Sequence, residues 1–180
     1  MTHVRDWQIE LIEAHPGLFQ PPAGHPEKAA GYPWCEQGWR DLLERLFVRI
    51  EAALRHGETI HFSQIKEKFA GLRVYWRGDV SPETTARIHE AIALAEARSA
   101  CTCEECGEEG QLYRHGGIYM TRCAAHARGM AISAGPGPKH EHIVRDVAPD
   151  GGFRVARRRY DRAADAFIDV PAGSPETEEE

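Results

Sequence analysis

The chain has 180 residues and a formal net charge of −6, room for one domain with a sizeable core and a small satellite. That acidic balance argues against non-specific duplex binding, which rests on neutralising phosphates with Lys and Arg; no apolar run of ~18 residues is present to span a membrane. Part of the charge is the closing run Glu176–Glu180, so a nearly balanced body can still carry a local basic patch.

Residues 4–14 place Trp7, Leu11 and Ala14 at helical spacing, and His15-Pro16-Gly17 ends that pattern. Residues 16–33 are rich in Pro and Gly and predict a long loop, of the kind that tends to carry function. The strongest helix follows: Trp39, Leu42, Leu43, Leu46, Phe47, Ile50, Ala53 and Leu54 form one stripe, closed by His56-Gly57. Residues 60–64 and 72–77 alternate as two half-buried antiparallel strands packed on that helix. A further helix is predicted over 82–100, with Ser81 as N-cap, Pro82 in the first turn and Ile88, Ala91, Ile92 and Ala95 as its stripe.

This helix delivers the chain to Cys103-x-x-Cys106 and Cys123-x-x-His126, the ligand set of a closed tetrahedral zinc site. Two residues between ligands let both side chains of a pair face one ion. Gly107 permits a tight turn whose backbone N–H groups point at the sulfurs. Residues 111–114 and 118–121 flank Gly116-Gly117 as a hairpin, and the second ligand pair is expected to open a helix over about 124–130. Knuckle, hairpin and helix in that order make a treble-clef-like zinc finger. With protein filling all four positions, the Zn2+ is expected to be structural. Cys101 is taken as a bystander. Four clustered cysteines of five, and a start without an apolar signal segment, predict a reducing, cytoplasmic setting.

The expected fold class is therefore α+β: a small antiparallel sheet packed on amphipathic helices, with the finger docked at the end of the 82–100 helix. The expected organisation is a core over 1–100, the finger over 101–132, a linker with a β-hairpin over 133–160, and an acidic, disordered tail over 161–180.

Beyond the metal, Gln64-x-Lys66-x-Lys68-x-x-Gly71-x-Arg73-x-Tyr75 repeats polar groups at even spacing, which puts them on one strand face. Lysines bind phosphate as point charges, arginine grips it bidentately, and Tyr75, Trp76 or Trp39 could stack on a base. The same spacing also suits an ordinary solvated face, with Glu44 or Glu51 neutralising the cations. Tyr32, Trp34 and Trp39 either plug the core or wall a pocket, and Arg157-Arg158-Arg159 is either a solvated run or a contact strand. The chain lacks Gly-x-Ser-x-Gly, a Walker lysine loop, His-Glu-x-x-His and the His-x-Glu of zinc deaminases. It is thus expected to be a binder and not an enzyme.

The segments Cys35-Glu36-Gln37-Gly38-Trp39, Gln64–Tyr75 and the Cys103…His126 finger together resemble a functionally uncharacterised family of small zinc-finger-containing proteins of tailed phages and prophages. The resemblance covers residues 30–128; Gln37 departs from it, standing where the family is associated with an acidic residue. It implies a phage accessory protein in the bacterial host cytoplasm that sequesters a small anionic ligand, such as an immune-signalling nucleotide. The alternative is an adaptor that grips a host protein or nucleic acid through the finger and the 153–159 strand. Oligomeric state is left open.

Overall fold

A computed structural model describes residues 6–132, 141–147 and 153–169. Of the linker expected over 133–141, residues 133–140 lie outside these residues, as does the chain beyond 169. The architecture is α+β, as the element pattern predicts. Helix α1 (Trp7–Ala14) starts at Asp6, whose carboxylate accepts from the Gln8 amide. The segment expected to be loop contains a second helical turn, α2 (Pro16–Phe19). Its reason is apolar: Leu18 and Phe19 are buried, and the Phe19 ring meets Phe47 and Phe62 at 5.2 and 5.3 Å.

Strand β1 (Pro33–Trp34) leads into a 3₁₀ turn and α3 (Arg40–Ala53), whose buried stripe is Leu42, Leu43, Leu46, Phe47, Ile50 and Ala53. Strands β2 (Thr59–Lys68) and β3 (Gly71–Asp79) pair antiparallel, and β1 adds to β2 in parallel, giving the order β1-β2-β3. The core lies between this sheet and α3, joined by Ile88, Ala91 and Ala95 of α4 (Pro82–Ser99). Burial of this one contiguous apolar cluster is the main favourable term of the fold.

A bulge in β2 decides which residues face that core. Ile60 and Phe62 point inward, and strict alternation would send Gln64, Lys66 and Lys68 inward after them. The register instead shifts between Phe62 and Gln64, so Ile65 is buried and the polar set turns to solvent.

The finger holds β4 (Gln111–His115), β5 (Ile118–Arg122) and β6 (Met130–Ala131) in the order β5-β4-β6. Gly116 and Gly117, at φ 55° and 87°, make the expected tight turn. The helix expected over 124–130 is a turn followed by β6. At Gly129, φ is +80° and a Cβ would sit 2.9 Å from the Arg114 carbonyl carbon. The chain is pressed against β4 there, and pairing with that strand wins over the helical preference of Ala124-Ala125.

Strands β7 (Glu141–Val147), β8 (Phe153–Asp161) and β9 (Ala166–Asp169) form a third sheet. Residues 161–169, expected to belong to a disordered tail, are a turn and a strand. Tyr160 packs with Leu94, Ala97 and Cys101, and Phe167 packs against that cluster. The buried Asp165 takes the Tyr160 hydroxyl at 2.6 Å and Arg49 at 2.8 Å. No helix among the described residues is long and apolar enough to cross a membrane.

Candidate metal centre and sheet face

The four expected ligands converge. The coordinating atoms of Cys103, Cys106, Cys123 and His126 all lie within 4.8 Å of one another, an arrangement that could hold one metal ion. Cys106 Sγ and Cys123 Sγ are 3.7 Å apart, and His126 Nδ1 is 3.3 Å from Cys123 Sγ and 3.6 Å from Cys103 Sγ. Burial works against ionising Cys103, but the backbone N–H groups of Cys123, Cys106 and Glu105 hold its thiol down at about 6. At Cys106 the Glu108 N–H favours the thiolate, yet burial and the Cys103 and Cys123 sulfurs push the thiol up to about 11. So many sulfurs cannot all shed their protons unless a cation stands among them. His126 Nε2, the nitrogen turned away from the sulfurs, lies 4.0 Å from the Glu105 carboxylate, the kind of outer partner that orients a ligating imidazole.

The knuckle carrying Cys103 and Cys106 rests on the start of α3, and the Cys35–Trp39 segment is its cradle. The Gly38 amide donates to Glu104 O at 2.7 Å, the Trp39 indole donates to Thr102 O at 3.0 Å, and the Glu36 amide donates to the Glu104 carboxylate at 3.2 Å. Glu104 is itself buried and paired with Arg122 at 2.9 Å. Burial and the charges of Glu104 and Glu36 keep the Cys35 thiol protonated. On the far side, the Thr121 hydroxyl donates to Ala70 O at 2.8 Å, tying the finger to the tip of the β2–β3 hairpin.

The phosphate-site candidates divide. Lys66 pairs in register with Arg73 and with Trp34, and Gln64 pairs with Tyr75, so these five side chains share the solvent face; Lys68 ends the same row. Trp76 lies opposite Phe62 on the other face, packed on the core and 6.1 Å from the His89 ring. Trp39 is fully buried. Trp39 thus offers no exposed ring to a ligand, and Trp76 is half-buried on the face opposite the cations. Glu44 and Glu51 do not neutralise the cations: both sit against the buried His15 ring, at 3.3 and 3.0 Å. Glu67, on the inner face, takes the Ala70 amide at 2.6 Å. Lys66, Lys68 and Arg73 make no ion pair with a described residue; Arg73 lies near enough to Glu96 to offset part of the burial that raises that carboxyl.

Two further aromatics stand at this face: Trp34, expected only as a core plug or pocket wall, and Phe69, which was not a candidate. Trp34 stands 70 % exposed, backed by Tyr32 at 5.4 Å. Phe69 stands 73 % exposed, with the Lys68 ammonium 5.3 Å over its ring. A two-residue strand is too short to show alternation, and nothing local marks Phe69 as a turn residue.

The elements define an α+β chain with a docked Cys3His finger and a basic, aromatic sheet face. No family model, curated protein or solved structure matches it.

Proposed function

We propose that the Cys3His cluster holds one structural zinc ion, and that the chain is a non-enzymatic protein binding a phosphate-bearing ligand on the outer face of β1–β3. For zinc, bonds of about 2.3 Å to sulfur and about 2.05 Å to nitrogen at tetrahedral angles imply S···S near about 3.8 Å and S···N near about 3.6 Å. Three of the six separations, 3.7, 3.6 and 3.3 Å, lie close to these values, and all four ligating atoms fall within 4.8 Å of one another, which supports such an ion. Four protein ligands leave no position for a reacting water, which supports a structural role.

One observation carries the binding reading: Lys66 and Arg73 stand side by side in register on the solvent face, and neither is ion-paired to a described residue. Arg73 donates to the Leu72 carbonyl at 2.6 Å and lies near Glu96. Lys66 beside it has no offsetting anion among the described residues, and adjacent like charges gain nothing for folding on their own. In the setting the resemblance implies, such a binder would act in the host cytoplasm by sequestering a signalling nucleotide. Calorimetric titration with a nucleoside triphosphate and its parent nucleoside tests this. Binding of the triphosphate alone, recovered intact after denaturing the complex, supports the reading; equal binding of the nucleoside, or recovery of hydrolysed product, contradicts it.

A second reading, an adaptor gripping a partner through the finger and β8, draws on the exposed Ile118, Met130 and Val155. Loss of a co-purifying partner on Ile118→Ser, with the triphosphate titration unchanged, would favour it.

A further inference from the structure

We infer that the ligand of the β1–β3 face is single-stranded nucleic acid, laid across the sheet with bases stacked on Trp34 and Tyr75; this rests on the phosphate-binding reading above. Three exposed aromatics, Trp34, Tyr75 and Phe69, occur on this one small sheet and its turn. Each stands beside a cation: Trp34 is next to Lys66 in register, Tyr75 is two residues beyond Arg73 on the same strand, and Phe69 lies under Lys68. Neighbouring strands are about 4.8 Å apart, so the row Trp34–Lys66–Arg73 spans about 10 Å, and Tyr75 lies about 7 Å further along the strand. That is an open platform with alternating ring and charge, the combination that tracks a flexible strand and stacks its bases. The grooves elsewhere, between α3 and α4 or between α3 and the knuckle, do not include it. An open surface suits an extended ligand better than a mononucleotide, which gains affinity from enclosure.

The turn adds an independent observation. Phe69 and Ala70 both adopt the left-handed region, at φ 53° and 65°, where a two-residue hairpin ordinarily uses Asn-Gly. Such backbone persists because its surroundings fix it: Glu67 holds the Ala70 amide and Thr121 its carbonyl. The strained geometry leaves most of Phe69 exposed and holds its ring out to solvent. Against a net charge of −6, this local cluster of cations is also the surface that complements an anionic polymer.

Fluorescence anisotropy of the full zinc-loaded chain with a labelled 12-nucleotide single strand tests the inference, with a nucleoside triphosphate and poly-glutamate as competitors. The single strand is expected to bind more tightly than the triphosphate and to weaken steeply with added salt. Trp34→Ala and Tyr75→Ala should each weaken it about tenfold or more, with the melting temperature and zinc content unchanged. If the triphosphate competes as well as the strand does and Trp34→Ala has no effect, the strand inference falls while the phosphate reading stands. If poly-glutamate competes as well as the strand, the occupant is an acidic protein segment and the inference falls. If neither nucleotide ligand binds, both readings fall.

Discussion

The Gly38 amide donates to the Glu104 carbonyl at 2.7 Å, so the metal knuckle lies backbone against backbone on the first turn before α3. A Cβ on Gly38 would stand 2.5 Å from both Glu104 O and Gly107 N, and would also run into the Cys103 carbonyl. None of these groups is a flexible side chain that can step aside. Gly38→Ala is therefore expected to undock the knuckle and destabilise the chain by about 3 kcal/mol. Denaturant unfolding with Gly17→Ala as control checks this, because a Cβ on Gly17 meets nothing within 4 Å.

Removing a ligand should have a larger consequence than removing a contact. Cys106→Ser is expected to lower zinc from about one per chain to a small fraction and to unfold the finger, since the affinity of such a site is folding free energy. Elemental analysis together with amide exchange over 101–132 reads both effects. Retention of a full equivalent of metal would contradict the assigned ligand set.

The bulge at Ser63 makes a prediction of its own. Ser63 is the extra residue, so deleting it leaves simple alternation with Phe62 and Ile65 still inward and Lys66 and Lys68 still in the solvent row. The deletion variant is therefore expected to keep a cooperative thermal transition. An alanine inserted between Gln64 and Ile65 instead turns Lys66 and Lys68 toward the core, where burying two ammonium groups without partners is prohibitive, and that variant should lose the transition.

Acid stability should report on Glu58. Its carboxylate takes the Thr84 hydroxyl at 2.6 Å and the Ser81 and Arg55 amides at 2.7 and 2.9 Å, and these bonds lower its pKa to about 2. The folded value lies below the ordinary 4.5, so the stabilisation is present above that pH and is lost as the pH falls toward 2. Glu58→Gln should lower the melting temperature at pH 7, and the gap to the parent chain should narrow steadily between pH 5 and pH 3.

The legible parts of the molecule were those with a local period. The metal ligands declare themselves by two x₂ spacings, and α3 by a 3.6-residue stripe whose six buried members are all apolar. What could not be read depends on pairing across the chain. Trp39 begins the α3 stripe, yet its buried indole is satisfied only by Thr102 O, 63 residues away. Trp34 joins the candidate face only because β1 pairs with β2 in parallel. Even spacing put Gln64, Lys66 and Lys68 on one face, but the bulge decided that this face is the wet one. The expected finger helix lost to the pairing of β6 with β4, which the Gly129 conformation permits.

The central claim is that the Lys66–Arg73 pair exists for an anion and not for the fold, and Arg73→Ala tests it most directly with two readings on one variant. Calorimetric titration with a nucleoside triphosphate should show a loss of about 1.5–3 kcal/mol, the range for a hydrogen bond to a charged group, or about 10- to 150-fold in affinity. The melting temperature should move by no more than about 2 °C, as expected for a solvent-facing change. Unchanged affinity with a clear drop in melting temperature would contradict the account, making the cluster part of the scaffold.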